Sequence, residues 1–136
     1  MTRTVLESAS KTVVIGFDEP FCVIGERINP TGRKKLAAEL EAGNFSTVEK
    51  DALEQVACGA TVLDVNSGAV FTNKMAEDPR YADNNFVEPT LMPQLINRVQ
   101  ALVDVPLCID SSVPGALKAG LETCNGRPLL NSVTGE

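Results

Sequence analysis

Five polar residues stand where apolar runs end, and they are the chemistry this sequence offers: Asn29, Asp64, Asn66, Asp110 and Asn131. Asp64 and Asn66 lie two apart in Val62-Leu63-Asp64-Val65-Asn66. In an extended strand that spacing puts both on one face and Leu63 and Val65 on the other. Asp110 closes Leu107-Cys108-Ile109 and Asn131 closes Leu129-Leu130. A carboxylate accepts two parallel N–H bonds from an amidine-like edge, and an amide serves donors and acceptors alike. A set of carboxylates and amides without basic residues suits a neutral heterocycle with both kinds of group along one edge. It does not suit a phosphate, and the glycine-rich phosphate loops G-x-x-x-x-G-K-[ST] and G-x-G-x-x-G are absent. Plainer readings stay open. Asp64 and Asp110 could hold Mg²⁺, Asn29 could seed a turn, and Ser111, Ser112 and Ser132 could cap helices.

Composition narrows the chemistry further. The 136 residues contain no histidine, which removes the commonest general base and every Ser-His or Cys-His nucleophile pair. A net charge of −6, no Trp and a single Tyr argue against a nucleic-acid partner, which needs a basic face and stacking platforms. The charge also argues against an anionic membrane surface, and no apolar run is long enough to span a bilayer. Cys22, Cys58, Cys108 and Cys124 form no C-x-x-C pair, so no zinc or redox motif is present. They read as buried reduced thiols in a cytoplasmic setting, and the polar stretch before Lys11 is not a signal peptide.

The residues that must position this set are four short apolar runs: Phe21–Asn29, Thr61–Asn66, Pro106–Asp110 and Pro128–Val133. Their near-continuous apolarity is that of strands buried on both faces, as in a parallel sheet. Between them the sequence predicts helices over Arg33–Ala42, stopped by Gly43, and from a Ser46 or Thr47 cap to Gly59. Further helices are expected over Pro89–Val103 and over Val113–Glu122, the last capped by Ser111 or Ser112. The order β-α-β-α-β-α-β implies an α/β fold with crossover connections. In such folds the carboxyl ends of the strands converge on the functional face, and four of four end here in Asp or Asn. A short hairpin is expected at Gly16–Pro20. Residues 67–88 read as a long connection rich in turn formers, either an active-site flap or an insertion.

These blocks carry a resemblance. Ile24-Gly25-Glu26-Arg27-Ile28-Asn29-Pro30-Thr31-Gly32-Arg33-Lys34-Lys35 resembles the opening of the methyltetrahydrofolate–corrinoid methyltransferases. Gly59 to Asn66 resembles their second strand, Leu107 to Ser112 the third and Leu130 to Glu136 the fourth, in the family's order. Dihydropteroate synthase, a further alternative, shares only the broad pattern. Its Gly-Glu-Ser-Thr-Arg-Pro-Gly type of loop is not found after Asp64.

The resemblance implies the N-terminal half of a (β/α)8 TIM barrel, residues 1–136 being a partial pterin-binding domain. It implies that 5-methyltetrahydrofolate binds at the C-terminal ends of the strands. Asp110 and Asn131 match positions that hydrogen-bond the pterin, and Asn29, Asp64 and Asn66 match positions lining the same cavity. It implies methyl transfer between the folate and the cobalt of a corrinoid (cobalamin) carried by a partner protein, where cobalt is the nucleophile and the lack of histidine is no obstacle. The family's remaining Asp and Asn come from the sixth and seventh strands, beyond Glu136, so catalytic residues are expected outside these residues. A half barrel has two open sheet edges. It is expected to be catalytically incomplete, acting as a pterin-binding or interaction fragment, or to close against a complementary C-terminal half or in a homodimer.

Overall fold

The computed structural model describes residues 2–68, 84–133 and 135, with backbone alone at 84–86. Its elements are β1 (Thr4–Glu7), β2 (Thr12–Ile15), β3 (Ile24–Ile28), α1 (Lys34–Glu41), α2 (Ser46–Ala57), β4 (Val62–Asn66), α3 (Asn84–Leu102), β5 (Leu107–Asp110), α4 (Pro114–Thr123) and β6 (Leu129–Asn131). Strands β3-β4-β5-β6 form one parallel sheet in chain order, and β1-β2 form a separate antiparallel pair. Helix-linked parallel strands added one after another in chain order are half of a (β/α)8 barrel. Among the described residues β3 and β6 each pair on one side only.

Alternation along the strands sorts the two faces. Leu63, Val65, Leu107 and Ile109 point to the helices and join Leu36, Val48, Leu95 and Ile96 in the main core. Val62 and Cys108 point the other way, where Leu6 of β1 buries against them with Val13, Ile15 and Leu129 alongside. The hairpin thus closes the N-terminal end of the inner face. Backbone bonds between Glu7 and Arg127, 2.9 Å each way, tie it to the approach to β6.

Two helix ends follow the sequence closely. Gly43 (φ 75°) donates to the Leu40 carbonyl at 3.1 Å and Asn44 to that of Glu39 at 2.8 Å, and Gly59 (φ 107°) and Ala60 repeat the pattern on Val56 and Gln55. Both are Schellman endings, which need a left-handed residue where glycine costs least. Gly25 serves packing instead. A Cβ there would lie 2.5 Å from Gln55 Oε1, the atom that accepts the Arg27 N–H at 3.0 Å where the β3–β4 register shifts.

Several expectations are corrected. The hairpin turn is at Ser8–Lys11, where the Ser8 N–H reaches the Lys11 carbonyl at 2.9 Å and the Ser8 hydroxyl accepts the Lys11 N–H at 3.1 Å. Gly16–Pro20 is a separate turn, because the alternating Thr12–Ile15 already pairs with Thr4–Glu7. The first sheet strand starts at Ile24, leaving Phe21 92% exposed.

Neither Ser46 nor Thr47 caps α2. Asn44 Oδ1 takes the Ser46 N–H at 3.0 Å, and Ser46 is already helical. The residue at the α4 N-cap is Val113, whose N–H goes to the Ser111 hydroxyl at 3.0 Å. Cys58, at the end of α2, is exposed rather than buried.

Helix α3 begins at Asn84, five residues before Pro89, and runs through Pro89 and Pro93. Each proline removes a helical N–H. Burial of Leu91, Met92, Leu95, Ile96 and Val99 against the sheet and α4 outweighs that local penalty. Of the expected 67–88 connection, residues 69–83 lie outside those described. Among the described residues no helix is long and apolar enough to cross a membrane.

Arg98 of α3 lies 4.9 Å from the centre of the Phe45 ring and 3.4 Å from Glu49. The pair is half-exposed, so Arg98→Ala is expected to lower stability by only about 1 kcal/mol. Urea unfolding checks this; a loss above about 3 kcal/mol, the scale of a buried-core defect, contradicts it.

Candidate functional site

The register of the sheet assembles the site. Asn66 pairs with Asp110, and Asp110 with Asn131, so the three last residues of β4, β5 and β6 form one row. Neighbouring strands lie about 4.8 Å apart, so the row spans about 10 Å, the width of a fused bicyclic ring. One step toward the N-terminal ends, Asp64 pairs with Cys108, and Cys108 with Leu129. The inner face therefore grades from the apolar floor of Leu6, Val62, Cys108 and Leu129 to a polar rim. Asp64 is 7% exposed and Asn131 is exposed, with Asn66 and Asp110 in between. The polar residues sit toward the carboxyl ends because Leu6 and its hairpin bury the other end of the inner face and leave the rim to water.

Asp64 is a strongly perturbed carboxyl. Its pKa is pushed up to about 7, first by burial, then by the charge of Asp110 and a hydrogen bond shared with it, and by Glu26; a hydrogen bond from Cys108 acts the other way. Burial and Asp64 beside it push the Cys108 thiol well up, so it stays protonated and donates S–H to Asp64. Two adjacent carboxyls that hydrogen-bond to each other share a proton. Asp64, the more buried of the two, is the one whose pKa is raised, and Asp110 stands nearer the rim.

Other side chains frame the row. Asn29 sits just past β3 at the same end, but its Oδ1 accepts the Thr31 N–H at 2.9 Å, so its carbonyl is spent on a turn. Asn66 Oδ1 likewise takes the Gly68 N–H at 2.7 Å, leaving its NH₂ for other partners. Sequence reasoning missed two carboxyls. Glu26 acts on Asp64 across the inner face, and the strand period running from Ile24 to Glu26 would have flagged it. Glu88, 6% exposed, accepts the Ser111 hydroxyl at 2.7 Å; it was hidden by reading 67–88 as loop. Among the described residues no group of three or more His, Cys, Asp or Glu is arranged to hold a metal ion.

A carboxylate between two amides on an open sheet rim, above an apolar floor, fits the edge of a flat heterocycle. Comparison with known proteins points the same way: residues 25–136 match the family described as pterin binding enzyme. The chain belongs to this family. The matched segment begins at Gly25, within β3, so it contains the rest of β3, β4 to β6 and all five sequence-derived site residues, while the β1-β2 hairpin precedes it.

The chain is also 32% identical, over 117 residues, to a methylcorrinoid:tetrahydrofolate methyltransferase of Eubacterium limosum. That stretch is 84% of this chain and 36% of the relative. The chain thus spans about a third of the length of the curated relative it matches.

Proposed function

We propose that this pterin-binding chain holds the pterin of 5-methyltetrahydrofolate for methyl exchange with a corrinoid. The single observation that carries the reading is the row Asn66–Asp110–Asn131 at the C-terminal rim of the parallel sheet. The name of the relative, which joins a methylcorrinoid to tetrahydrofolate, supports the substrate pair.

On this reading Asp110 accepts the 2-amino and N3–H donors of the pterin in parallel. Asn131 and Asn66, on either side, meet the ring's remaining donors and acceptors. Asp64, below Asp110, holds it in place through the hydrogen bond they share. Asn29 shapes the neighbouring turn. The apolar floor excludes water from beneath the ring, which strengthens these bonds. A corrinoid, when bound, supplies the cobalt that takes or gives the methyl group. This chain's own residues orient the folate so that its methyl-bearing nitrogen faces that partner.

The corrinoid is placed on a partner protein. The edges of β3 and β6 are the surfaces along which further strands complete the barrel. Four free cysteines favour a reducing compartment such as the cytoplasm.

The test is equilibrium titration of the purified protein with 5-methyltetrahydrofolate, followed by competition. Saturable binding reversed by a free pterin, and not by p-aminobenzoylglutamate, is expected. Competition by the tail alone, or no saturable binding, removes the proposal.

A further inference from the structure

Glu88 lies behind the row. It projects from α3 against the residues that follow Asn66 and Asp110. Its Oε2 accepts the Ser111 hydroxyl at 2.7 Å, and that hydroxyl accepts the Val113 N–H at 3.0 Å. Ser111 in turn grips β6: its N–H donates to the Asn131 carbonyl at 2.7 Å, and its carbonyl accepts the Ser132 N–H at 3.2 Å. On the β4 side the Ser67 hydroxyl reaches the Glu88 carbonyl at 3.5 Å. A Cβ on Gly68 would come within 2.9 Å of Glu88 Oε1 and 3.0 Å of Asn66 Oδ1. Glu88 therefore touches the exits of two of the three strands that carry the row, β5 by its carboxyl and β4 by its backbone carbonyl. Through Ser111 it is one side chain away from the backbone of Asn131.

A buried carboxyl is costly without strong partners, and packing alone would be met as well by an apolar residue at this turn of α3. What a carboxyl adds is a directional acceptor that fixes the Ser111 hydroxyl, and with it the backbone that follows Asp110. Pterin recognition requires Asp110 and Asn131 to be held to a few tenths of an ångström relative to each other.

We propose that Glu88 is the positioning residue of the pterin site. Acting through Ser111, it sets the spacing and orientation of Asp110 and Asn131. This rests on the reading of the row as a pterin site, and it names a residue that does not itself touch the ligand.

The experiment measures 5-methyltetrahydrofolate affinity for the wild type, Glu88→Ala, Glu88→Gln, Ser111→Ala, Asp110→Ala and the double variant Glu88→Ala/Asp110→Ala, with far-UV circular dichroism as the fold control. Glu88→Ala and Ser111→Ala are each expected to weaken binding about tenfold, the scale of one buried hydrogen bond to a charged group. Glu88→Gln keeps an acceptor for Ser111 and should stay within threefold of wild type. In the Asp110→Ala background the Glu88→Ala effect should shrink to about threefold or less, because only Asn131 of the two residues it positions remains.

Wild-type affinity in a folded Glu88→Ala or in Ser111→Ala overturns the proposal while leaving the pterin reading intact. So does an undiminished Glu88→Ala effect in the Asp110→Ala background. Should Glu88→Ala not fold, Ser111→Ala and Glu88→Gln read the same contact and decide it. A wild type that binds no pterin overturns this inference together with the reading beneath it.

Discussion

Asp110→Ala is expected to lower affinity for 5-methyltetrahydrofolate by about 100-fold or more, the largest effect of any single substitution at the rim. Asp110 is the central member of the row, flanked by Asn66 and Asn131. In the proposed pose it makes two parallel charge-assisted hydrogen bonds, each worth about 1.5–3 kcal/mol. Losing both at once leaves two pterin N–H groups facing an apolar methyl, and about 3 kcal/mol corresponds to a factor above 100.

Asp110→Asn should fall between, at about tenfold, because the amide oxygen still accepts one N–H while its NH₂ opposes the other. The substitution should leave the fold intact, since Asp110 is the last residue of β5 and only half-buried. Titration with 5-methyltetrahydrofolate checks the order wild type, Asn, Ala. An alanine variant that binds within threefold of wild type would show that the row does not hold the ring.

The second large effect is on stability and depends on pH. The carboxyl of Asp64 has its pKa raised from 3.8 to about 7 in the folded protein. Between those values the native state keeps a proton that the unfolded chain has released. The stability this group contributes is therefore complete below about pH 4 and lost as pH rises through 7. Above pH 7 the folded protein holds a buried carboxylate beside Asp110 and Glu26, with the Cys108 thiol donating to it.

Asp64→Asn replaces it with a neutral group of the same shape. It should stabilise the protein by about 2–4 kcal/mol at pH 8 and by little or nothing at pH 4. Urea unfolding of both proteins at the two pH values checks the sign, since contributions from groups that do not interact with Asp64 cancel in the difference. An equal difference at both pH values would mean that Asp64 titrates normally.

Much of the fold was legible because its signals are local. The four strands sit within the four apolar runs, and the glycines at 43 and 59 end α1 and α2 by a mechanism that needs only the neighbouring backbone. The errors came where a distant contact overrode a local preference. Pro89 looks like the start of a helix, yet α3 begins at Asn84, because the apolar stripe that follows is buried against the sheet and α4 and anchors the whole segment. Ser46 looks like a cap, yet Asn44, held by the Schellman ending of α1, reaches its N–H first. The hairpin was misplaced because Gly16 and Pro20 are strong turn formers, whereas pairing of Thr4–Glu7 with Thr12–Ile15 is set by the apolar floor that Leu6 fills.

By itself the sequence determined that Asp and Asn stand toward the carboxyl ends of the sheet strands. An apolar strand buried on both faces tolerates Asp or Asn only where it emerges, so type and position together point to the rim. Tertiary structure alone decided how they combine. Strand register, set by hydrogen bonds between segments more than twenty residues apart, put Asn66, Asp110 and Asn131 in one row and Asp64 beneath it. The packing of α3 brought Glu88 under Ser111, whereas the Asn29 and Asn66 side-chain carbonyls close local turns two residues on. No pattern along the chain encodes the row or the Glu88 contact, because they follow from the packing of α3 and the pairing of β4, β5 and β6, which exist only once the sheet has formed.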